Sequence, residues 1–304
     1  MDPASLADDL FTTEMLDELR ALAELDATVV TELDERGLEA LREAEIVIAG
    51  WGAPPIAPAD APKLRSVVYL GGVAATCLRD IDDWRARGLA AANSRSINAV
   101  PVAEYALAMI LLDGKGAFGG GAPHAHPGNF RRTVGIVGLS QTARALIRLL
   151  GAFELDVLVY SPELTPEVAS ELGVAIGTLE EVMSRSDIVS LHQPLIPATR
   201  GQIDGRMLSL MKDGATLLNT ARGGVVDQEA LVDRLREGRI RAILDVTEPE
   251  PLPADHELCR LPNVVLTPHI AGSLGTELHR MGRNAVDEVR RFVDGIPLEN
   301  PEAL

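Results

Sequence analysis

The residues able to do chemistry in this 304-residue chain fall in five short segments. Gly138-Leu139-Ser140-Gln141-Thr142-Ala143 follows a β-branched run, Thr133 to Val137, and opens a helical one, so it matches G-x-G-x-x-G/A at its first and last positions. In that fingerprint the first glycine makes the turn, the middle one lets backbone approach a pyrophosphate, and the last lets the helix pack on the strand. Ser140 takes the middle place here, and the helix N-terminus behind it offers free N–H groups to an anion. Read alone, the turn fits a dinucleotide site and an ordinary βα connection equally. The other segments are Leu191-His192-Gln193-Pro194-Leu195, Asn219-Thr220-Ala221-Arg222-Gly223-Gly224, Asp245-Val246-Thr247-Glu248-Pro249-Glu250-Pro251 and Leu266-Thr267-Pro268-His269-Ile270-Ala271-Gly272. A guanidinium such as Arg222 presents paired donors to a carboxylate, and a histidine such as His269 exchanges a proton near neutral pH. Taken singly, Arg222 reads as a surface cation, Glu250 as a solvated loop acid and His269 as a packed histidine.

The elements that must position these segments alternate along the chain. Helical spacing appears at Glu14 to Leu25, Glu35 to Glu43, Ile81 to Arg87 and Val102 to Leu112, with strand-like runs at Ala27 to Val30, Glu45 to Ala49, Val67 to Leu70 and Leu89 to Ala92. Asp113 to Arg132 is dominated by glycine, proline and small residues and reads as a flexible connection. Beyond it, strands at Thr133 to Val137, Asp156 to Tyr160, near Val174, Ile188 to Leu191, Thr216 to Leu218, Ala242 to Asp245 and Val264 to Leu266 alternate with helices, and Ser273 to Asp294 closes the chain. This alternation predicts α/β architecture, with parallel strands covered by helices on both faces. Two domains follow: residues 101–272 as a doubly wound nucleotide-binding unit, and residues 1–100 with 273–304 as a smaller one. All four segments after the glycine turn end strands of the larger unit on the carboxyl side, where open α/β sheets place their sites.

Composition narrows the partners. A formal net charge of −17 repels nucleic-acid phosphate and anionic lipid. The longest apolar stretch, Ile97 to Leu112, is broken by Asn98, Pro101 and Glu104 and is too short to span a bilayer. The opening MDPASLADDLFTTEM lacks the basic and apolar regions of a signal peptide. With Cys77 and Cys259 the only thiols, each read as a small buried hydrophobe, a cytoplasmic protein is expected. His124 and His126 sit in the glycine-rich connection without a third ligand, so no metal site is expected.

From Val67 to the closing helix the chain resembles the D-isomer-specific 2-hydroxyacid dehydrogenases, through N-x-x-R-G, D-V-x-x-x-E-P and T-P-H-I-A-G in order. The resemblance implies a Rossmann NAD-binding domain and a flavodoxin-like substrate domain. It implies Arg222, Glu250 and His269 as the catalytic set, with Arg222 binding the carboxylate and carbonyl of a small 2-oxo acid, His269 as acid and base, and Glu250 orienting the imidazole. Formate dehydrogenases of the same superfamily carry glutamine in place of Glu250, which argues against formate. For the cofactor it implies Gly138, Ser140, Gln141, Thr142, Ser161, His192, Pro194, Thr220, Ala221, Asp245 and Gly272, with Asp245 on the nicotinamide carboxamide and His192 near the adenine end. Backbone groups of Gly72, Val73 and Ala74 are implied as further substrate donors, although the usual G-V-G pattern is altered here. Relatives are homodimers, and the Asp113 to Arg132 segment replaces a longer arm that forms the dimer.

Two departures and two rival functions shape the expectations. NAD-specific relatives close the second strand with an aspartate on the ribose, where this chain has Ser161. NAD remains the expected cofactor, because no cation follows in Ser161 to Pro166 and Glu163 opposes a 2′-phosphate, while NADP is not excluded. Two other functions share these motifs: a non-catalytic NAD(H)-sensing protein and a phosphite dehydrogenase. Finally, relatives open with an apolar strand in the middle of the smaller sheet, and this chain has none. The strands at Ala27 and Glu45 would then flank an empty lane, and the expectation is a reading frame that starts upstream of Met1.

Overall fold

The computed structural model describes residues 3–118 and 128–304, so His124 and His126 lie outside the described residues. The chain divides into two compact units, Met1–Asn98 with Ser273–Leu304, and Ala99–Gly272.

In the first unit, helices α1 (Leu6–Leu10), α2 (Thr13–Leu22) and α3 (Glu35–Glu43) precede strand β1 (Ile46–Ala49), β2 (Ser66–Tyr69), helix α4 (Ile81–Ala86) and β3 (Ala90–Asn93). The strands form a parallel sheet in the order β1-β2-β3. Alternation along β2 sorts its side chains to two faces: Val67 and Tyr69 pack with Trp84 and Ile56, while Val68 packs with Leu10, Met15 and Leu19 and with the closing helix. Residues 27–30 are not a strand. Among the described residues the sheet of this unit holds β1, β2 and β3 alone. The expected pair of strands flanking a gap is therefore replaced by three contiguous ones.

Helix α5 (Arg95–Gly114) links the units and runs through Pro101. It begins earlier than the proline suggests, with the Asn98 N–H already donating to Ser94 O. By length and composition alone it is apolar enough to cross a bilayer, but Ala103, Ala106 and Ile110 are buried in the core of the second unit. Nor are the ends of the connection after it free. Asp113 and Arg132 form a buried ion pair, which Thr216 Oγ1 joins at 2.9 Å from Asp113 and Arg241 at 3.3 Å. The flexible segment expected from Asp113 to Arg132 is thus pinned at both ends by charge.

The second unit continues β4 (Thr133–Val137), α6 (Gln141–Leu150), β5 (Asp156–Tyr160), α7 (Pro166–Leu172), β6 (Ala175–Ile176), α8 (Leu179–Arg185), β7 (Ile188–Leu191), α9 (Gly205–Leu210), β8 (Thr216–Asn219), α10 (Gln228–Arg236), β9 (Arg241–Leu244) and β10 (Val264–Leu266). Its sheet is parallel, in the order β10-β9-β8-β7-β4-β5-β6. Val134, Ile136, Val159, Ile188, Leu218 and Ile243 face α5, α6 and α7. Their alternates Val137, Leu158, Val189, Leu217 and Leu244 face α8, α9 and α10. Both faces are covered, as an all-parallel sheet requires. Helix α11 (Leu278–Val293) returns the chain to the first unit, where Glu18 of α2 accepts from Arg283 at 2.7 Å and Arg290 at 2.6 Å.

Candidate active site

Strands β8, β9 and β10 are neighbours, and their last residues Asn219, Leu244 and Leu266 stand in one register row. The loops that follow start within roughly 10 Å of one another, two inter-strand spacings. Arg222 lies on the first, Glu250 on the second and His269 on the third.

Each loop is fastened by its own side chains. Buried Asn219 accepts from Ala221 N at 3.0 Å and donates to Arg222 O at 2.9 Å, which closes the turn carrying the exposed Arg222 side chain. A Cβ on Gly223 would come within 2.1 Å of Thr247 C, so only glycine lets this turn sit against the β9 loop. Gln228 clasps that loop through Glu248 N and O, at 3.1 and 2.7 Å. In the third loop buried Asp245 accepts from Thr267 Oγ1 at 2.6 Å, Ile270 N at 2.8 Å and Ala271 N at 2.9 Å. The Tyr105 hydroxyl lies 2.7 Å from Thr267 Oγ1, and burial raises its pKa.

His269 itself is left-handed, at φ +55°. A histidine visits that region at modest cost, and here its N–H donates to both Asp245 O and Thr267 O at 3.0 Å. The conformation turns the ring toward Glu250, and His269 Nδ1 donates to Glu250 Oε1. With Nδ1 committed, Nε2 is the atom left to exchange a proton. The ring is half exposed, and so is the carboxylate at 39%.

The nucleotide turn lies on the other side of β7. Gly138 has φ +92°, and a Cβ there would come 2.6 Å from Gln193 N. Ser140 Oγ accepts from Ala143 N at 3.3 Å, capping α6. The hydroxyl therefore uses one donor of the helix end and leaves the first-turn N–H groups of Gln141 and Thr142 for a pyrophosphate. A positive-φ glycine cradle closed by a neighbouring backbone and an anion-ready helix of ten residues suit a dinucleotide. Ser161 directly follows β5, with its Oγ accepting from Glu163 N at 3.3 Å.

Several expected residues already have partners within the protein. His192, directly after β7, is buried with Nε2 2.8 Å from Ser190 Oγ, and burial pushes its pKa down to about 4, so its ring is neutral. Asp245 spends its carboxylate on the T-P-H-I-A loop, a role the sequence does not announce. Ala74 N donates to Glu302 at 2.8 Å, as does Ala75 N at 3.2 Å, so Ala74 is already committed, unlike Gly72 and Val73. Cys77 is buried, its thiol pushed up to about 12, whereas Cys259 is exposed instead of buried. Tyr105 was beyond sequence reading, since its contact is with a residue 162 positions away.

The NAD-binding-domain model of the D-isomer-specific 2-hydroxyacid dehydrogenases matches residues 119–271. D-3-phosphoglycerate dehydrogenase of Mycobacterium leprae is 35% identical over 248 residues, which cover 78% of this chain and 46% of that protein. (S)-sulfolactate dehydrogenase of Chromohalobacter salexigens is 37% identical over 243 residues, 76% of this chain and 78% of the relative. The crystal structure of apo D-mandelate dehydrogenase from Rhodotorula graminis superposes with a TM-score of 0.79 at 26% identity, covering 96% of this chain and 94% of the other. The chain belongs to the D-isomer-specific 2-hydroxyacid dehydrogenase family. It spans about half the length of the phosphoglycerate dehydrogenases that it matches.

Proposed function

We propose that the protein transfers a hydride between NAD(H) and a small 2-oxo or 2-hydroxy acid of the D series. The observation that carries this reading is the His269–Glu250 hydrogen bond at the ends of β9 and β10, with Arg222 on the adjoining loop. When bound, the nicotinamide supplies or accepts the hydride. Arg222 binds the substrate carboxylate and carbonyl with a planar pair of donors. His269 Nε2 gives a proton to the oxygen that becomes a hydroxyl, and takes it back in oxidation. Glu250 fixes the tautomer and the direction of the ring. Gly72 and Val73 are proposed as further backbone donors to the substrate. Family resemblance supports a homodimer, which sedimentation would check, and the charge of −17 supports a small molecule over a polyanion.

The test follows absorbance of NADH with a panel of 2-oxo acids, and of NAD with D-3-phosphoglycerate, (S)-sulfolactate and D-lactate. Turnover of one D-series acid well above the rest is the expected result. A chain that binds NADH yet turns over nothing would be a sensor, and one that reduces NAD only with phosphite a phosphite dehydrogenase.

A further inference from the structure

Three successive residues after β2 have every carbonyl bonded and, among the described residues, no N–H bonded. Gly71 O accepts from Ser94 N at 3.0 Å, Gly72 O from Arg95 Nε at 2.9 Å, and Val73 O from Thr76 N at 3.2 Å and Thr76 Oγ1 at 2.6 Å. The N–H groups of Gly71, Gly72 and Val73 find no partner among the described residues. Ala74 and Ala75, next in the chain, differ, because Glu302 accepts from both of their N–H groups. The unpaired donors are therefore the loop's own and not those of the short helical turn that follows. Val73 is 42% exposed, so the loop is open to a ligand there.

Arg95 decides which way one of these peptides points. In a trans peptide the C=O and N–H are antiparallel, so fixing Gly72 O toward Arg95 directs the Val73 N–H the opposite way. Gly72 by itself would not hold that direction. A Cβ on Gly72 would meet nothing within 4 Å, and the backbone freedom of glycine lets the peptide turn over. Turned over, it would offer a carbonyl oxygen where an anion needs a donor. The Arg95 N–H donates to Asn93 Oδ1 at 3.0 Å, which anchors its backbone, and its guanidinium pairs with no carboxylate among the described residues. Its charge is spent on this one carbonyl. We propose that Arg95 is a positioning residue for the substrate, holding the Gly72–Val73 peptide so that the Val73 N–H faces the substrate carboxylate. This rests on the reading above in which Gly72 and Val73 are backbone donors to a 2-oxo acid. A carboxylate keeps its charge through reduction, so a donor to it binds ground and transition states alike and acts on KM, not on kcat.

The experiment compares the wild type with Arg95→Met and Arg95→Gln. Glutamine carries its Nε2 as many bonds from Cα as arginine carries Nε, so it keeps the donor and loses the charge, while methionine puts a methyl group there. Steady-state kinetics with NADH and glyoxylate, pyruvate, hydroxypyruvate and oxaloacetate give kcat and KM, and the NADH dissociation constant and melting temperature are taken on the same samples. In Arg95→Met, KM should rise about tenfold for each acid that the wild type reduces, the scale of one charge-assisted hydrogen bond. Its kcat should stay within about twofold, with NADH affinity and melting temperature unchanged. Arg95→Gln should recover most of the loss. An unchanged KM in Arg95→Met overturns the role of Arg95 and leaves the hydride-transfer reading standing. A loss in Arg95→Gln equal to that in Arg95→Met shows a charge acting on the substrate directly and overturns positioning through the peptide. A lowered melting temperature or weakened NADH binding in Arg95→Met shows a packing role instead. A wild type that reduces no 2-oxo acid of the panel overturns both readings.

Discussion

His269 shows how a single residue is prepared for chemistry. Its backbone stands in a region that side chains seldom occupy, and two carbonyls accept its N–H, so the ring direction is set before any ligand arrives. Glu250 then occupies Nδ1, leaving Nε2 as the working nitrogen. Arg222 is different: its turn is closed by Asn219 while its guanidinium is exposed and, among the described residues, donates only to Ala221 O, at 2.6 Å. Replacing His269 or Arg222 with alanine is expected to lower kcat/KM by about 10²-fold or more, the scale of a lost proton donor or charge clamp. NADH affinity should stay within about twofold, since neither side chain stands at the nucleotide turn. Steady-state kinetics with a fluorescence titration of the same samples separates the two effects.

At the scale of elements, three predictions follow from what fastens one segment to another. Asp245→Ala would strip three donors of their acceptor, at about 1–3 kcal/mol for each group left buried and unpaired, and should lower the melting temperature and free the loop that carries His269. Helix α2 is clipped to α11 by Glu18. The guanidinium of Arg283, then that of Arg290, holds its carboxyl at about 2, well below the usual 4.5. A depressed carboxylate stabilises the fold above its ordinary pKa and loses that contribution as pH falls. The advantage of the wild type over Glu18→Gln in melting temperature should be complete above about pH 4.5, shrink toward pH 2, and vanish below it. The third concerns the open groove beyond β5 and β6, where Ser161 is joined by Glu180, Glu181, Asp204 and Arg206. Its one guanidinium is held by Glu180 at 3.0 Å, and acids outnumber it, so a 2′-phosphate meets repulsion even without the usual aspartate. NADH should have the higher kcat/KM of the two cofactors, and Ser161→Asp should widen the ratio. A preference for NADPH in the unaltered protein would contradict this account of the groove.

For the whole molecule, the division of labour is that the second unit is continuous in sequence and the first is assembled from both ends of the chain. The second unit has a core on each face of its sheet and contains the phosphate turn, Arg222, Glu250 and His269. Residues 95–272 expressed alone should therefore fold and bind NADH within a few-fold of the full chain. Circular dichroism and an NADH titration of that piece would show it.

The β-branched run Thr133 to Val137, the second run ending at Tyr160 and the helical spacing after Ala143 made the larger sheet legible, because covering both faces of parallel strands forces continuous apolar runs. Three motifs in order at successive strand ends made Arg222, Glu250 and His269 legible as candidates, since those loops converge where adjacent parallel strands end together. The sequence by itself therefore determined the family, the α/β class and the identity of the chemical groups. Tertiary structure alone decided that Ala27–Val30 is no strand, since a strand exists only against a neighbour. It also decided that Asp113 and Arg132 pin the ends of the glycine-rich connection, and that Asp245 serves a loop some 25 residues on. Each of these depends on contacts between residues far apart in the chain, and pairing of that kind leaves no mark on local composition or spacing.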